Sequence, residues 1–235
     1  ILCLFGLWLG DGSYDYKNEN KVIVTSTEKE CIELIKIVAQ KLKINTYLMN
    51  DNASFSLNST ILYKLMRYVI GLEGYSDTKK ITNFLFNLSN RQLAKFLNGY
   101  FSADGTVKKH EISCSSQSPE LLNVVQTILL RFGIISRIDN SIRKDKCTEL
   151  RISSNENVMM FSDEIGFLQT RKMEKLCVLR NMRATHTTSD IIPIKDGGVS
   201  DSLRKIKPIS TWYFGGWNLG RNHLQNIIGE VEDDD

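Results

Sequence analysis

The sequence is poor in the residues that staple small proteins. Three prolines and three histidines stand among 235 residues, and the five cysteines, at 3, 31, 114, 147 and 177, include no close pair. An odd count without a CxxC excludes a complete disulfide framework and argues against a structural zinc site. Reduced thiols in an intracellular compartment fit best. No apolar run approaches the roughly 18–20 residues that cross a bilayer. The apolar opening ILCLFGLWLG lacks a basic flank and ends on Asp11-Gly12, so it does not read as a secretory leader. We therefore expect an intracellular, non-secreted protein with no membrane partner. What remains is a globular composition, 42% apolar and 24% charged, long enough for one large domain or two smaller ones.

Excess charge of one sign is slight. The formal charge is +3; residues 184–235 carry five basic and eight acidic side chains, which leaves 25 basic and 19 acidic, a net +6, on residues 1–183. Such a body tolerates a polyanion without demanding one.

An internal near-repeat is the strongest signal. LFGLWLGDGS, residues 4–13, returns as LNGYFSADGT, residues 97–106, with Gly6, Asp11 and Gly12 matched by Gly99, Asp104 and Gly105 at a constant offset of 93. Each Asp-Gly ends an apolar segment of helical spacing, and Ser89 with Gln92 has the pattern of a capping box. Alternating segments follow, KVIVTS at 21–26 and HEISCSS at 110–116. A helix comes next in each half, with Thr27 and Glu30 as the expected cap of the first and Ser118 with Pro119 opening the second. Further strands are expected at 46–50 with 53–57 and at 134–141 with 147–153, and closing helices near 59–70 and 155–165. The order predicts an α+β fold, a pseudo-two-fold duplication of an αββαββα unit whose two antiparallel sheets are covered by helices on one face and open on the other. Residues 1–78 and 79–183 form the two halves, and 184–235 an accessory tail with an acidic, disordered end.

Small residues four apart, Gly6 with Gly10 and Gly99 with Ala103, allow the motif helices to pack backbone to backbone. Asp11 and Asp104 then emerge together at two negative helix ends, where they repel each other and one pKa rises. A hard divalent cation relieves both problems, and Mg²⁺ completes its shell with water and phosphate oxygens. This points to phosphodiester hydrolysis at a helix–helix interface.

The two segments LFGLWLGDG (4–12) and LNGYFSADG (97–105) resemble the motifs of the LAGLIDADG homing endonucleases, in the single-chain, two-motif form found in inteins and some introns. The resemblance covers about residues 1–183. It departs where Leu9 and Ser102 replace a family acid, but keeps the last acid of each motif. It implies a saddle of two sheets in the major groove of a long, nearly asymmetric duplex and cleavage of both strands. It also implies Mg²⁺, with Mn²⁺ as a substitute, held by Asp11 and Asp104 with help from the carbonyls of Gly10 and Ala103. No side chain is an obvious general base. One basic residue per half is expected near the centre: Lys79 or Lys80 in the first, Lys172 beside Arg171 in the second. An RNA-splicing maturase that binds intron RNA, or a cleavage-inactive DNA-binding relative, is the alternative. Because the pseudo-dyad is internal, a monomer suffices and no obligate protein partner is expected.

Base reading falls to the open sheet faces. The first-half candidates are Tyr14, Tyr16, Lys17, Lys21, Thr25, Asn50 and Ser54. Those of the second half are Lys108, Lys109, Glu111, Ser113, Arg137, Arg143, Lys144 and Arg151. In the tail, IIPI reads as a strand or arm, and 220–228 as a helix. Arg204, Lys205, Lys207, Arg221, Asn222 and His223 are candidate contacts, while Trp212, Tyr213, Phe214 and Trp217 read as packing residues.

Overall fold

The computed structural model describes residues 1–75, 77–81, 83–139 and 147–182, the backbone of 191–192 and 219–220, and residue 225. The chain divides into two compact units, 1–183 and 184–235. In the second unit β9 (Ile191–Ile192) pairs antiparallel with β10 (Leu219–Gly220), which gives IIPI a strand at its start. Gly220, the expected first residue of a helix, belongs to β10 instead, and Gln225 is helical. The rest of that helix, the aromatic packing and Arg204 and Arg221 lie outside the described residues.

The first half of the larger unit runs α1 (Leu2–Asp11), β1 (Gly12–Tyr14), β2 (Lys21–Thr25), α2 (Lys29–Lys41), β3 (Asn45–Leu48), β4 (Ser54–Asn58) and α3 (Thr60–Lys64). The second runs α4 (Asn90–Asp104), β5 (Gly105–Val107), β6 (Ile112–Ser116), α5 (Pro119–Leu130), β7 (Arg137–Asp139), β8 (Thr148–Ile152) and α6 (Asn155–Glu164). This is the expected αββαββα unit, twice. Each sheet is antiparallel, with orders β1-β2-β4-β3 and β5-β6-β8-β7. Three features were not legible in the pattern. A π-helical turn, Leu65–Val69, continues α3; a 3₁₀ turn spans Asn83–Asn87; and a further helix, α7 (Thr170–Arg180), follows α6.

The caps explain most helix starts. Ser89 and Gln92 form the expected capping box on α4, and Ser118 accepts from the Leu121 amide on α5. The expected cap of α2 does not form: Glu28 is its N-cap and makes no side-chain cap. The Glu30 carboxylate is committed elsewhere, accepting from the Thr170 amide at 2.9 Å.

One side of each sheet is apolar and covered. Val22, Val24, Phe55 and Leu57 of the first, and Ile112, Cys114, Leu150 and Ile152 of the second, belong to one continuous core with α1 and α4. In α1 every residue from Cys3 to Leu9 is buried, so this helix lies in the middle of the molecule. No described helix is long and apolar enough to cross a membrane.

The helix crossing is as tight as the small residues suggested. A methyl on Gly6 would lie 2.0 Å from the Phe96 carbonyl oxygen, and one on Gly99 2.0 Å from that of Cys3. The glycines after the motif aspartates are required for space rather than for an unusual backbone angle. Gly12 and Gly105 have φ of −107° and −82°, which any residue adopts. What they lack is space, because a Cβ would sit 2.3 Å from Trp8 Cδ1 at Gly12 and 2.3 Å from the Phe101 oxygen at Gly105.

Candidate active site at the paired helix ends

The crossing brings the two motif aspartates together. A methyl on Gly10 would lie 2.4 Å from Ala103 Cβ and 3.2 Å from Asp104 Oδ2, so the Asp104 carboxylate covers the last turn of α1. Asp11 is exposed and Asp104 half-buried. The Asp104 carboxyl is pushed up to about 7, by burial first and then by the neighbouring Asp11, against the pull of Lys79 and Lys172. Asp11 is also raised: the residue is exposed as a whole, but the protein crowded around its carboxylate strips away part of its hydration, against the pull of the same two lysines.

Each half supplies one lysine to this centre. Lys79 is 6% exposed, and its Nζ donates to Gly10 O at 2.6 Å and Trp8 O at 3.3 Å, lying 5.4 Å from the centre of the Trp8 ring. Lys172 donates to Ser102 O at 2.8 Å and Gly105 O at 2.7 Å. Each ammonium therefore caps the negative end of one motif helix. Burial lowers both pKa values, against the pull of acids nearby.

Of the pair Lys79 and Lys80, only Lys79 is in the site. Lys80 is exposed and offers its backbone amide to Glu73 O. The spacing contained this choice, because Lys79 and Lys172 stand 93 residues apart, the offset of the motifs, whereas 93 residues beyond Lys80 is Met173. The Gly10 carbonyl, expected to assist a metal, instead receives an ammonium. Ser102, in place of the family acid, is structural: its hydroxyl accepts from the Leu168 amide at 2.8 Å, and its carbonyl receives Gln169 Nε2 at 2.7 Å.

The donor set suits a hard divalent cation. The charge of Asp11 bears on the Asp104 carboxylate, and both carboxyls, which accept no hydrogen bond from the described residues, are costly to ionise unaided. No cluster of three or more His, Cys, Asp or Glu side chains occurs among the described residues. A cation here would take two carboxylates and fill its shell with water and phosphate oxygens, which is the habit of Mg²⁺.

The open sheet faces differ. On the first, Lys21, Ile23 and Thr25 face Asn58, Ser56 and Ser54 across the β2–β4 ladder. Thr25 and Ser54 share a 2.8 Å hydrogen bond, and Lys21 stands 3.9 Å from Asp15. Lys17 and Asn50 are exposed in turns. On the second, Ser113 and Ser115 face Arg151 and Glu149, and Arg137 and Asp139 face the same two from β7. Lys108 pairs with Glu111 and Glu149, and Arg151 with Asp139 and Glu149, each at 2.9 Å. Arg137 and Lys109 are exposed. Arg143 and Lys144 lie outside the described residues.

Several expected DNA contacts are internal instead. Tyr14 is 5% exposed, stacks 4.2 Å from the Trp8 ring and donates to Leu72 O, because β1 turns this position toward the core. Tyr16 is half-buried, with its hydroxyl on Gly74 O at 3.2 Å. Ser113 lies on the open face but is 1% exposed beneath the ion pairs, and Ser54 is turned to Thr25.

The comparisons agree with this geometry. A family profile described as LAGLIDADG-like domain matches residues 1–73 and 91–166. A replication factor C small subunit of Methanocaldococcus jannaschii is 30% identical over 80% of this chain and 10% of its own. A probable translation initiation factor IF-2 of Thermococcus kodakarensis is 31% identical over 73% and 15%. An RNA polymerase subunit Rpo1C of M. jannaschii is 26% identical over 97% and 27%. The chain thus spans between 10% and 27% of the length of these relatives. Among solved structures, I-DmoI in complex with DNA and Ca superposes with a TM-score of 0.55 at 18% identity, over 75% of this chain and 95% of that one. Full-length DUF199/WhiA of Thermotoga maritima gives 0.53 at 14%, over 78% and 61%. These likenesses show the fold.

Proposed function

The chain belongs to the LAGLIDADG-like domain family, and from that premise we propose that it is a site-specific, divalent-metal-dependent endonuclease acting on both strands of a long, asymmetric DNA duplex. The observation that carries the reading is the pair Asp11 and Asp104 at two adjoining helix ends with one lysine from each half. Asp11 and Asp104 would hold the cation. A bound Mg²⁺ or Mn²⁺ supplies Lewis-acid charge to a phosphate and lowers the pKa of water.

The chain's own groups do the rest. An ammonium has three donors, and Lys79 and Lys172 each spend two on carbonyls. One N–H of each remains for a phosphate oxygen or for the attacking water, where it favours developing negative charge. No described side chain stands as a dedicated base, so the proton passes to solvent. The sheets lie on either side of the paired ends, and their open faces suit the major groove on each side of the cut. Exposed Lys17, Lys109 and Arg137, with half-buried Lys21, are the groups best placed to meet phosphate or base edges. Arg204 and Arg221 are further candidates in the tail. The relatives' names fit a segment that moves between genes: they belong to unrelated processes, and the shared piece is a small part of each.

The test is cleavage of a randomised duplex library, or of the uninterrupted host-gene junction where known, with Mg²⁺ and with Mn²⁺. Discrete double-strand cuts, absent in Asp11→Asn and Asp104→Asn, are expected. Duplex binding without cleavage would replace the nuclease with a binding relative, and tight binding to a folded intron RNA alone would point to a maturase. Folded protein that neither binds nor cuts would overturn the reading.

A further inference from the structure

We propose that Tyr16 and Arg67 are positioning residues for Lys79, a role that rests on the nuclease reading above. Lys79 does not stand on a helix. It follows a reversal of the chain in which Lys80 N meets Glu73 O at 3.2 Å and Thr78 N meets Tyr75 O at 2.9 Å. The reversal turns on Gly74, whose φ is +107° and where a Cβ would lie 2.3 Å from Thr78 O, so it admits no side chain.

The loop closes on itself through these bonds and through Tyr75 N donating to Thr78 Oγ1 at 3.0 Å, and it is also pinned from outside by Tyr14 at the end of β1 and Tyr16 just beyond it. Tyr14 OH donates to Leu72 O at 2.8 Å, and Tyr16 OH to Gly74 O at 3.2 Å, one bond on each side of Glu73. The Tyr16 ring is itself held. Arg67 lies 5.0 Å from its centre, donates to Glu19 Oε1 at 3.0 Å, and comes within 4.0 Å of Glu73 Oε2. Tyr75, on the same reversal, stacks 5.1 Å from Tyr16. A connected path thus runs from Arg67 through Tyr16 to Gly74, five residues before Lys79, whose ammonium caps Gly10.

The second half shows that the pins belong to this loop rather than to the duplicated fold. At the motif offset Val107 and Lys109 replace Tyr14 and Tyr16, and there Lys172 rides on α7 and needs no pinned reversal. The two tyrosines that the sequence offered as base readers are thereby reassigned to placing a reacting group.

The experiment uses the full chain with Tyr16→Phe, which keeps the ring and removes the hydroxyl, and Arg67→Met, with Lys79→Met as reference. Single-turnover cleavage should slow by about tenfold to a hundredfold in Tyr16→Phe, the range for a misplaced catalytic group, with duplex affinity unchanged. The double variant Tyr16→Phe/Lys79→Met should cut no more slowly than Lys79→Met alone, because the hydroxyl acts through the lysine. Additive losses, weakened duplex binding in Tyr16→Phe, or an unchanged rate would each overturn the proposal. Amide hydrogen exchange separates this from failure of the nuclease reading. If the parent cuts no duplex, that reading falls, and faster exchange at Thr78 and Lys80 in both Tyr16→Phe and Arg67→Met still supports the positioning role, while unchanged exchange refutes it.

Discussion

Lys79 and Lys172 arrive at the same place by different routes. In the first half the lysine stands on a reversed loop pinned by tyrosines of its own half. In the second it stands in the first turn of α7, and that turn is held from across the molecule. The Thr170 amide donates to Glu30, Arg171 pairs with Glu28 at 3.0 Å, and Gln169 reaches Cys31 Sγ at 3.5 Å. All three acceptors open α2 of the first half. The duplication therefore fixes where the ammonium sits, at the negative end of a motif helix, and leaves the scaffold free to differ. Beyond the shared order of elements, the motif helices are alike in both halves where they cross, because the crossing leaves no room for variation.

The shared crossing gives the largest expected effect. Gly6→Ala and Gly99→Ala each drive a methyl into a backbone carbonyl that cannot rotate away. Both should cost at least about 3 kcal/mol, read as an equal loss of thermal stability in the two variants. A mild loss in only one would show that the crossing is less symmetric than its contacts. Next is the electrostatic centre. Asp104 is raised in the folded state, so that state binds its proton more tightly than the unfolded chain does. The resulting stability is fully present below about pH 4 and is lost as pH rises through about 7. Asp104→Asn should accordingly be more stable than the parent at pH 8, with the advantage shrinking as pH falls toward 4, measured by thermal melts across that range. Asp11→Asn should behave in the same direction.

A smaller effect separates the two lysine scaffolds. Glu30→Gln removes a charged acceptor at the start of α7 and should lower thermal stability slightly, less than either change above. Its kinetic trace should mimic a mild Lys172→Met variant and leave the Lys79 side untouched, seen as nicked duplex with one preferred strand. The open faces give a contrast of another kind. Glu149 is 2% exposed beneath Lys108 and Arg151. Burial works against its charge, but hydrogen bonds from Lys108 and Ser113 and the charge of Arg151 bring its pKa below the usual value. Its stabilisation is present above about pH 4.5 and lost on acidification. Glu149→Gln should destabilise at pH 7 by about 1–3 kcal/mol, whereas Thr25→Val on the first face should shift stability by no more than about 0.5 kcal/mol.

These contrasts mark what the sequence could say. The duplicated order, both sheets, the capping box on α4 and the aspartate pair were all legible, because periodicity, caps and the motif offset are local or repeated signals. The face of β1 was not. Tyr14 reads as a base-reading residue on the open sheet face, and only its packing on Trp8 shows that the strand turns it inward. The role of Glu30 was misread for a related reason: an acid near a helix start looks like a cap, and nothing local reveals that another helix needs it more. The helix α7 was missed because its pattern is broken; only Leu176 and Leu179 are buried along it.

The grip of α2 on α7 has a practical consequence for chimeras. A hybrid that joins this second half to a foreign first half would keep Asp104 and Lys172 in its own sequence. It would inherit the socket for Lys172 from the donor of the other half. Grafts that carry Glu28, Glu30 and Cys31 along with the second half should keep both strands cut at balanced rates, and grafts that leave them behind should turn the hybrid into a nickase.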